Sequence, residues 1–152
     1  MAMPVAGMLA PDFELNDQGG RPIRLSSLRG KQVVLYFYPR ADTPGCTQEA
    51  CAFRDDISAY SDKDTVVLGI SPDTEKDQAR FSGKHHLPFP LLADVDHKVS
   101  QAYGVWGLKK FMGKEYMGVH RSTFLIDADG RITHVFQDVK PSGHSGEVLA
   151  AL

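Results

Sequence analysis

The sequence predicts an α/β domain in which a central mixed β-sheet is flanked by helices on both faces. Three observations support this: strand-like and helix-like segments alternate along the chain, two strand-like segments are continuously apolar, and a hairpin pattern precedes the last helix-like segment. Continuously apolar strands are typical of a sheet covered on both faces. The chain has 152 residues, enough for one domain, which we expect to span 1–152.

The first half of the chain shows the alternation most clearly. The segment RPIRLSSLRGK follows the Gly19-Gly20 turn and predicts a short strand leading to a turn. The run 33–38 is β-branched and aromatic, which predicts a central strand. Thr43 is the expected N-cap of the next helix, since Pro44 suits the first helical position, where its missing N–H costs nothing.

That helix is predicted to run for about four turns, because apolar residues recur at three- and four-residue spacings on one face. The residues are Ala50, Phe53, Ile57 and Tyr60. We expect this face to pack on the sheet.

The second half of the chain continues the pattern to the C-terminal helix. Thr74 ends a capping segment that begins a helix running to about His86, and Pro90 favours an edge position for the strand that follows. The other expected elements are a strand at 65–70, the edge strand at 89–94, a short helix at 96–103, a hairpin at 122–137 around Asp129-Gly130, and a helix at 146–152. This order and length are typical of the thioredoxin-like fold.

Composition and charge exclude several classes of function. The net charge of -2 favours neither nucleic acid nor an anionic membrane as a partner. The segment MAMPVAGMLAPDFEL lacks the basic start of a signal peptide, and the longest apolar run is far shorter than a membrane span. We therefore expect a cytoplasmic protein whose two cysteines are reactive or metal-binding rather than structural.

Both cysteines fall within YPRADTPGCTQEAC, five positions apart. Cys46 is expected in the first turn of the helix that Thr43 begins, where free backbone N–H groups and the helix dipole favour a thiolate. An ordinary thiol, with a pKa of about 8.5, is only a few per cent ionised at neutral pH. Since a helix terminus contributes about 0.3–2 kcal/mol, we expect a second source of positive charge near Cys46.

Cys51 cannot bond to Cys46 in an intact helix. Five residues correspond to a Cα separation of about 8.6 Å with side chains about 140° apart, whereas a disulfide needs Cα atoms within about 7 Å. The functional hypothesis is that Cys46 is oxidised to a sulfenic acid, and that Cys51 reaches it only when the first turns unwind.

Other interpretations of the cysteine pair are weaker. If the two cysteines were only small buried hydrophobic residues, the Thr-Pro-Gly segment before Cys46 and the five-residue spacing would have no explanation. A thioredoxin-type exchanger has Cys-x-x-Cys at the helix start, and a zinc site needs about four ligands. No metal site is expected, because the six histidines show no ligand spacing with the cysteines and are interpreted as surface residues: His85, His86, His97, His120, His134 and His144.

Two segments, FYPRADTPGCTQEAC and HRSTFLIDADG, closely resemble the peroxiredoxins, specifically the peroxiredoxin Q or bacterioferritin comigratory protein group, whose two cysteines lie five apart on one helix. The resemblance implies a role for five residues: Cys46 as the peroxide-attacking thiol, Cys51 as the resolving thiol, Thr43 as a hydrogen-bonding partner of the peroxide, Pro39 as a shield against water, and Arg121 as the missing positive charge. Without the resemblance, Arg121 would be interpreted as a surface residue. Glu49 could orient Arg121, but a solvated helix position is the preferred interpretation.

The resemblance also implies an activity and its partners. We expect a thiol-dependent peroxidase that reduces hydrogen peroxide and alkyl hydroperoxides without a cofactor, is recycled by thioredoxin or glutaredoxin, and is a monomer. A non-catalytic redox sensor that uses the same cysteine pair is the alternative. Repeated turnover of peroxide would distinguish the enzyme from the sensor.

Overall fold

A computed structural model describes residues 3–152 of the protein and confirms the predicted alternation of strands and helices. Residues 1 and 2 of the predicted domain lie outside that range. The strands are β1 Glu14–Asn16, β2 Pro22–Arg24, β3 Gln32–Phe37, β4 Thr65–Ser71, β5 Leu91–Ala93, β6 Trp106–Phe111, β7 Lys114–Val119, β8 Ser122–Ile126 and β9 Ile132–Phe136. The helices are α1 Pro44–Asp55, α2 Ile57–Asp62, α3 Glu75–His85, α4 Lys98–Ala102 and α5 His144–Ala151, and a 3-10 turn covers Leu25–Leu28.

The central sheet has the strand order β5-β4-β3-β8-β9. β3 is parallel to β4 and antiparallel to β8, so the sheet is mixed, as the sequence predicts. The predicted central strand is β3, which lies in the middle of the order. β5 lies at the edge, as Pro90 indicates.

Two apolar cores cover the two faces of this sheet. Successive residues of β3 point to opposite faces, so that Val34 packs with Phe53 of α1 and Phe81 of α3, whereas Leu35 packs with Val99 of α4. Residues of α2 and α5 join the first core, and the 3-10 turn joins the second. The prediction of helices on both faces is therefore confirmed.

The prediction of one helix of about four turns is wrong, because the chain breaks at Asp56 between α1 and α2. The Asp56 carboxylate accepts a hydrogen bond of 2.8 Å from the Ser145 hydroxyl at the start of α5. The Tyr60 hydroxyl donates to the Ser145 carbonyl at 2.8 Å. An aspartate side chain can form hydrogen bonds like these in a non-helical conformation, which competes with continuation of the helix. The apolar spacing continues across the break, since Phe53 and Tyr60 are both buried, so it does not reveal the break.

Two antiparallel hairpins extend beyond the predicted elements. β1 pairs with the short strand that was predicted before the 3-10 turn, and β6 pairs with β7. The β6–β7 hairpin turns at Met112 and Gly113, which both have positive φ, as a two-residue hairpin turn requires. In its sequence, apolar residues do not alternate regularly with charged ones, so the sequence pattern does not predict a strand. The structure shows why such a pattern is not needed here, since most residues of the hairpin are exposed on both faces.

The remaining predicted elements are found close to their expected positions. They are β4, α3, β5, α4, the β8–β9 hairpin and α5. Thr74 caps α3 as predicted, since its hydroxyl accepts a hydrogen bond from the Asp77 N–H. Within residues 3–152, no helix is both long enough and apolar enough to cross a membrane.

The contact at the helix break gives a prediction about stability. Ser145→Ala removes the hydroxyl that satisfies the Asp56 carboxylate, and we expect it to lower the free energy of unfolding by about 1–2 kcal/mol. Urea unfolding followed by circular dichroism measures the change. Ser142→Ala, at an exposed position in the same segment, is the control and should have little effect. Equal losses in the two variants would contradict the role given to the contact.

Candidate active site

The loop between β3 and α1 is fixed from two sides. The Ala41 N–H donates to the Asp73 carboxylate at 2.7 Å. Asp42 has a left-handed backbone, with φ of 62°. Its carboxylate accepts from Lys84 at 3.0 Å and lies 3.3 Å from His85 Nε2, both at the end of α3. The hydrogen bonds from these two side chains hold the pKa of Asp42 below its usual value. The start of α1 is therefore held in place by the elements that flank it.

α1 begins as the sequence predicts, with Thr43 at the N-cap position and Pro44 as the first helical residue. The Thr43 side chain does not cap the helix; its hydroxyl donates to the Arg40 carbonyl at 2.9 Å. Cys46 is the third residue of α1 and is 1% exposed. The sulfur is therefore buried in the first turn, near backbone N–H groups that have no partners within the helix.

Arg121 is brought to Cys46 by the pairing of β3 with β8. Phe37, the last residue of β3, is opposite Ser122, the first of β8, so the chain that follows β3 and the residue that precedes β8 are neighbours. The Arg121 Nη2 donates to the Cys46 sulfur at 3.3 Å. A Cβ on Gly45 would lie 3.2 Å from the same nitrogen, so the glycine leaves room for the guanidinium across the helix start.

Glu49 binds the other side of the same guanidinium. Arg121 Nη1 donates to Glu49 Oε1 at 2.7 Å, and the Glu49 side chain is fully buried. The interpretation of Glu49 as a solvated residue is therefore wrong. It lies three positions after Cys46, on the same face of the helix, and this spacing is the signal that could have identified it.

The protonation of Glu49 is set mainly by burial. Burial raises its pKa to about 7, although the charge and hydrogen bonds of Arg121 oppose the shift. Among residues 3–152, Glu49 Oε2 has no hydrogen-bonding partner. Below about pH 7 Glu49 is mostly protonated, so its carboxyl group does not neutralise the positive charge that Arg121 presents to the sulfur of Cys46.

A cavity of about 470 Å³ opens beside the start of α1. It is lined by Pro39, Arg40, Thr43, Lys109, Phe111 and Tyr116. Two of the predicted site residues, Pro39 and Thr43, thus lie on its wall, while Cys46 lies in the adjacent first turn of α1 with the Arg121 guanidinium against its sulfur. The sequence did not indicate Lys109, Phe111 or Tyr116, because the β6–β7 hairpin that carries them was not predicted.

Cys51 lies on the same helix but apart from this group. It is half-buried in the second half of α1, and both cysteines are free. The structure therefore brings Pro39, Thr43, Cys46 and Arg121 to one place and leaves Cys51 five residues away along an intact helix.

One of the six histidines departs from the expected surface position. His144 is 2% exposed, with its ring nitrogens 2.8 Å from Thr123 Oγ1 and 3.0 Å from Glu147 Oε1. Burial lowers its pKa, and Glu147 opposes the shift. Within residues 3–152, no three histidine, cysteine, aspartate or glutamate residues are grouped so as to hold a metal ion.

Comparison with known proteins identifies the class to which this site belongs. The AhpC/TSA family matches residues 6–135, and the chain belongs to that family. It is similar to the solved structure of the Xanthomonas campestris bacterioferritin comigratory protein, with a TM-score of 0.90 and 34% identity over 97% of this chain and 96% of that one. It is also similar to the Mycobacterium tuberculosis BcpB structure, with a TM-score of 0.85 and 40% identity over 95% of this chain and 94% of that one. The predicted thioredoxin-like fold is thus confirmed.

Within the family, the chain is similar to proteins named peroxiredoxin Bcp. The protein of that name from Bacillus subtilis is 49% identical over 146 residues, which cover 96% of this chain and 93% of the relative. The Escherichia coli K12 protein is 51% identical over 144 residues, which cover 95% and 92%. The predicted resemblance to this group is confirmed, and the protein is a thiol-dependent peroxidase rather than a non-catalytic sensor.

The buried Glu49 gives a prediction about stability and pH. Its pKa of about 7 in the folded protein exceeds the value of about 4.3 for an exposed glutamate. Between these values the folded state keeps a proton on Glu49 that the unfolded state releases, so the contribution of Glu49 to the free energy of unfolding should fall as pH rises, by on the order of 4 kcal/mol, and level off above about pH 7.

Glu49→Gln is neutral throughout and provides the reference for this prediction. Urea unfolding of both proteins at several pH values gives the difference between their stabilities. The difference should change across the window between the two pKa values and stay constant above it. A difference that does not vary with pH would contradict a protonated Glu49.

Proposed function

We propose that this peroxidase reduces hydrogen peroxide and alkyl hydroperoxides through oxidation of Cys46. The observation that carries the proposal is the 3.3 Å contact between Arg121 Nη2 and the Cys46 sulfur, in the buried first turn of α1. Arginine stays charged at any working pH, so the contact stabilises the thiolate, which is the nucleophile. The alkyl peroxide reduction described for the related Xanthomonas protein supports the same substrate class.

In the first step, the Cys46 thiolate attacks the terminal oxygen of the hydroperoxide. The sulfur–oxygen bond forms as the O–O bond breaks, which gives a sulfenic acid and an alkoxide or hydroxide that takes up a proton. Negative charge moves from the sulfur to the leaving oxygen. Arg121 and the N–H groups of the first turn are donors that are already fixed around this charge, which lowers the barrier.

Thr43 and Pro39 act on the substrate from the wall of the adjacent cavity. The Thr43 hydroxyl donates to the Arg40 carbonyl, so its oxygen remains able to accept a hydrogen bond from the peroxide O–H. Pro39 has no N–H and presents an apolar ring, which keeps water from the oxidised sulfur.

In the second step, the Cys51 thiol attacks the sulfenic acid, and a disulfide and water are formed. The helix must first unwind, and three features favour unwinding from its start. Oxidation removes the negative charge that Arg121 binds. Gly45 in the first turn is a poor helix former. At the other end, Ser145 holds Asp56. Local unwinding therefore stops before α2.

A dithiol protein then reduces the disulfide by thiol–disulfide exchange, and thioredoxin or glutaredoxin has the required chemistry. Because Cys46 and Cys51 lie on one helix, a second subunit is not needed to resolve the sulfenic acid, which supports a monomer. The reducing cytoplasm, where such donors are found, is the proposed location.

The roles of the two cysteines predict different outcomes for matched variants. Cys46→Ser should abolish peroxide consumption because the nucleophile is lost. Cys51→Ser should still be oxidised once, by one equivalent of peroxide, but should recycle poorly with thioredoxin because the disulfide cannot form. A steady-state assay with thioredoxin and, separately, with glutaredoxin measures turnover, and mass spectrometry identifies the oxidised species.

The two variants serve as controls for each other, since each keeps one thiol on the same helix. If Cys51→Ser turned over normally with thioredoxin, the resolving role of Cys51 would be lost while the role of Cys46 would stand. If Cys46→Ser still consumed peroxide catalytically, the proposed function itself would be wrong.

A further inference from the structure

Lys109 of β6 is a cation beside the active site that the mechanism above does not use. Its side chain is half-buried, and its ammonium group donates to the Val119 carbonyl across the hairpin at 2.9 Å. Val119 ends β7, two residues before Arg121. An ammonium group has three N–H donors, and among residues 3–152 only this one hydrogen bond of Lys109 is formed. Two donors are therefore available to another molecule.

The hairpin is built so that Lys109 can reach this position. A Cβ on Gly118 would lie 3.0 Å from Lys109 Cδ, so the lysine stem crosses the strand where the backbone carries no side chain. Gly118 is opposite Gly107, and a Cβ there would lie 3.2 Å from His120 Nε2. The paired glycines thus form a bare stretch of hairpin over which the two side chains lie.

Lys109 shares its surroundings with the reacting groups. It lines the cavity that Pro39 and Thr43 also line. Burial lowers the pKa of Lys109, the charge of Arg121 lowers it further, and Cys46 has the opposite effect. A lysine in this environment releases its proton more readily than an exposed one. The charged and titratable groups around it are Arg121, Cys46, Arg40, Tyr116 and His120.

We propose that Lys109 donates the proton to the oxygen that leaves when the O–O bond breaks. The inference rests on the proposed function, in which Cys46 attacks the hydroperoxide. The thiolate, the hydroperoxide ROOH and the Lys109 ammonium give the Cys46 sulfenic acid, the alcohol ROH and the neutral Lys109 amine. The two-electron oxidation of sulfur balances the two-electron reduction of the O–O bond. Lys109 then regains a proton from water in the open cavity.

Arg121 is a poor candidate for this proton transfer. Although burial opposes its charge, Glu49 and Cys46 outweigh that effect and raise its pKa above the usual value. Arg121 therefore stabilises charge without giving up a proton, and Lys109 supplies the proton that it cannot. The two cations thus have different tasks at one site.

Leaving groups of different basicity test the inference. An alkoxide leaving from tert-butyl hydroperoxide needs a proton, whereas the acetate leaving from peroxyacetic acid does not. In Lys109→Met, we expect the rate constant for Cys46 oxidation to fall at least about tenfold with tert-butyl hydroperoxide and less than about twofold with peroxyacetic acid. Rapid quenching with an alkylating reagent, followed by mass spectrometry, measures the rate constants.

Lys110→Met is the matched control, because Lys110 is the exposed neighbour that pairs with Glu115 on the hairpin. It should leave both rate constants unchanged. Lys109→Arg keeps the positive charge but donates a proton poorly, so it should remain slow with tert-butyl hydroperoxide. Circular dichroism checks that each variant is folded.

Three outcomes would overturn proton donation by Lys109. They are equal losses with both peroxides in Lys109→Met, no loss with tert-butyl hydroperoxide, and full recovery in Lys109→Arg. In each case the oxidation of Cys46 in the wild type would still support the proposed function. The absence of that oxidation would instead contradict the proposed function.

Discussion

The contact between the Arg121 guanidinium and the Cys46 sulfur is the interaction on which the rest of the site depends. A helix start alone stabilises a thiolate only modestly, and burial of the sulfur works against a charge. A permanent cation within hydrogen-bonding distance offsets the cost of burial. It also fixes where the negative charge is bound before the peroxide arrives.

The fold produces this contact through the pairing of two strands from distant parts of the chain. β3 and β8 are antiparallel neighbours, so the end of one lies beside the start of the other. α1 follows the first strand after a short loop, and Arg121 precedes the second. Glu49 then binds the far side of the guanidinium, so the arginine is held between a carboxyl group and the sulfur. The pairing of β3 with β8 therefore brings Arg121 to Cys46.

The same arrangement combines a rigid site with a helix that opens in the proposed mechanism. Asp73 and α3 hold the loop before α1, and Ser145 holds the chain after it. Within these limits, the first turn is stabilised by a contact that depends on the charge of Cys46. In the proposed mechanism, oxidation of the sulfur weakens that contact at the step that requires unwinding, so the chemical state of one atom would control the stability of the turn.

Much of this could be predicted from the sequence, for reasons that differ from residue to residue. The apolar run of β3 and the Thr-Pro-Gly helix start are local signals, and both elements are found where they were expected. The partnership of Arg121 with Cys46 spans 75 residues, and only the family resemblance indicated it. The break at Asp56 and the buried His144 depend on partners in distant segments, which residue spacing alone does not report. The β6–β7 hairpin had no apolar alternation to reveal it, so Lys109 was missed as well.

The most direct test of this account is the rate at which Cys46 is alkylated by iodoacetamide at about pH 6, measured in a Cys51→Ser background so that one thiol reports. At that pH an ordinary thiol is almost entirely protonated and reacts slowly. The account predicts rapid alkylation with Arg121 present and a rate at least about tenfold lower in Arg121→Met, which corresponds to the loss of about 1.4 kcal/mol of thiolate stabilisation. Equal rates in the two proteins, both as slow as that of a free thiol, would contradict it.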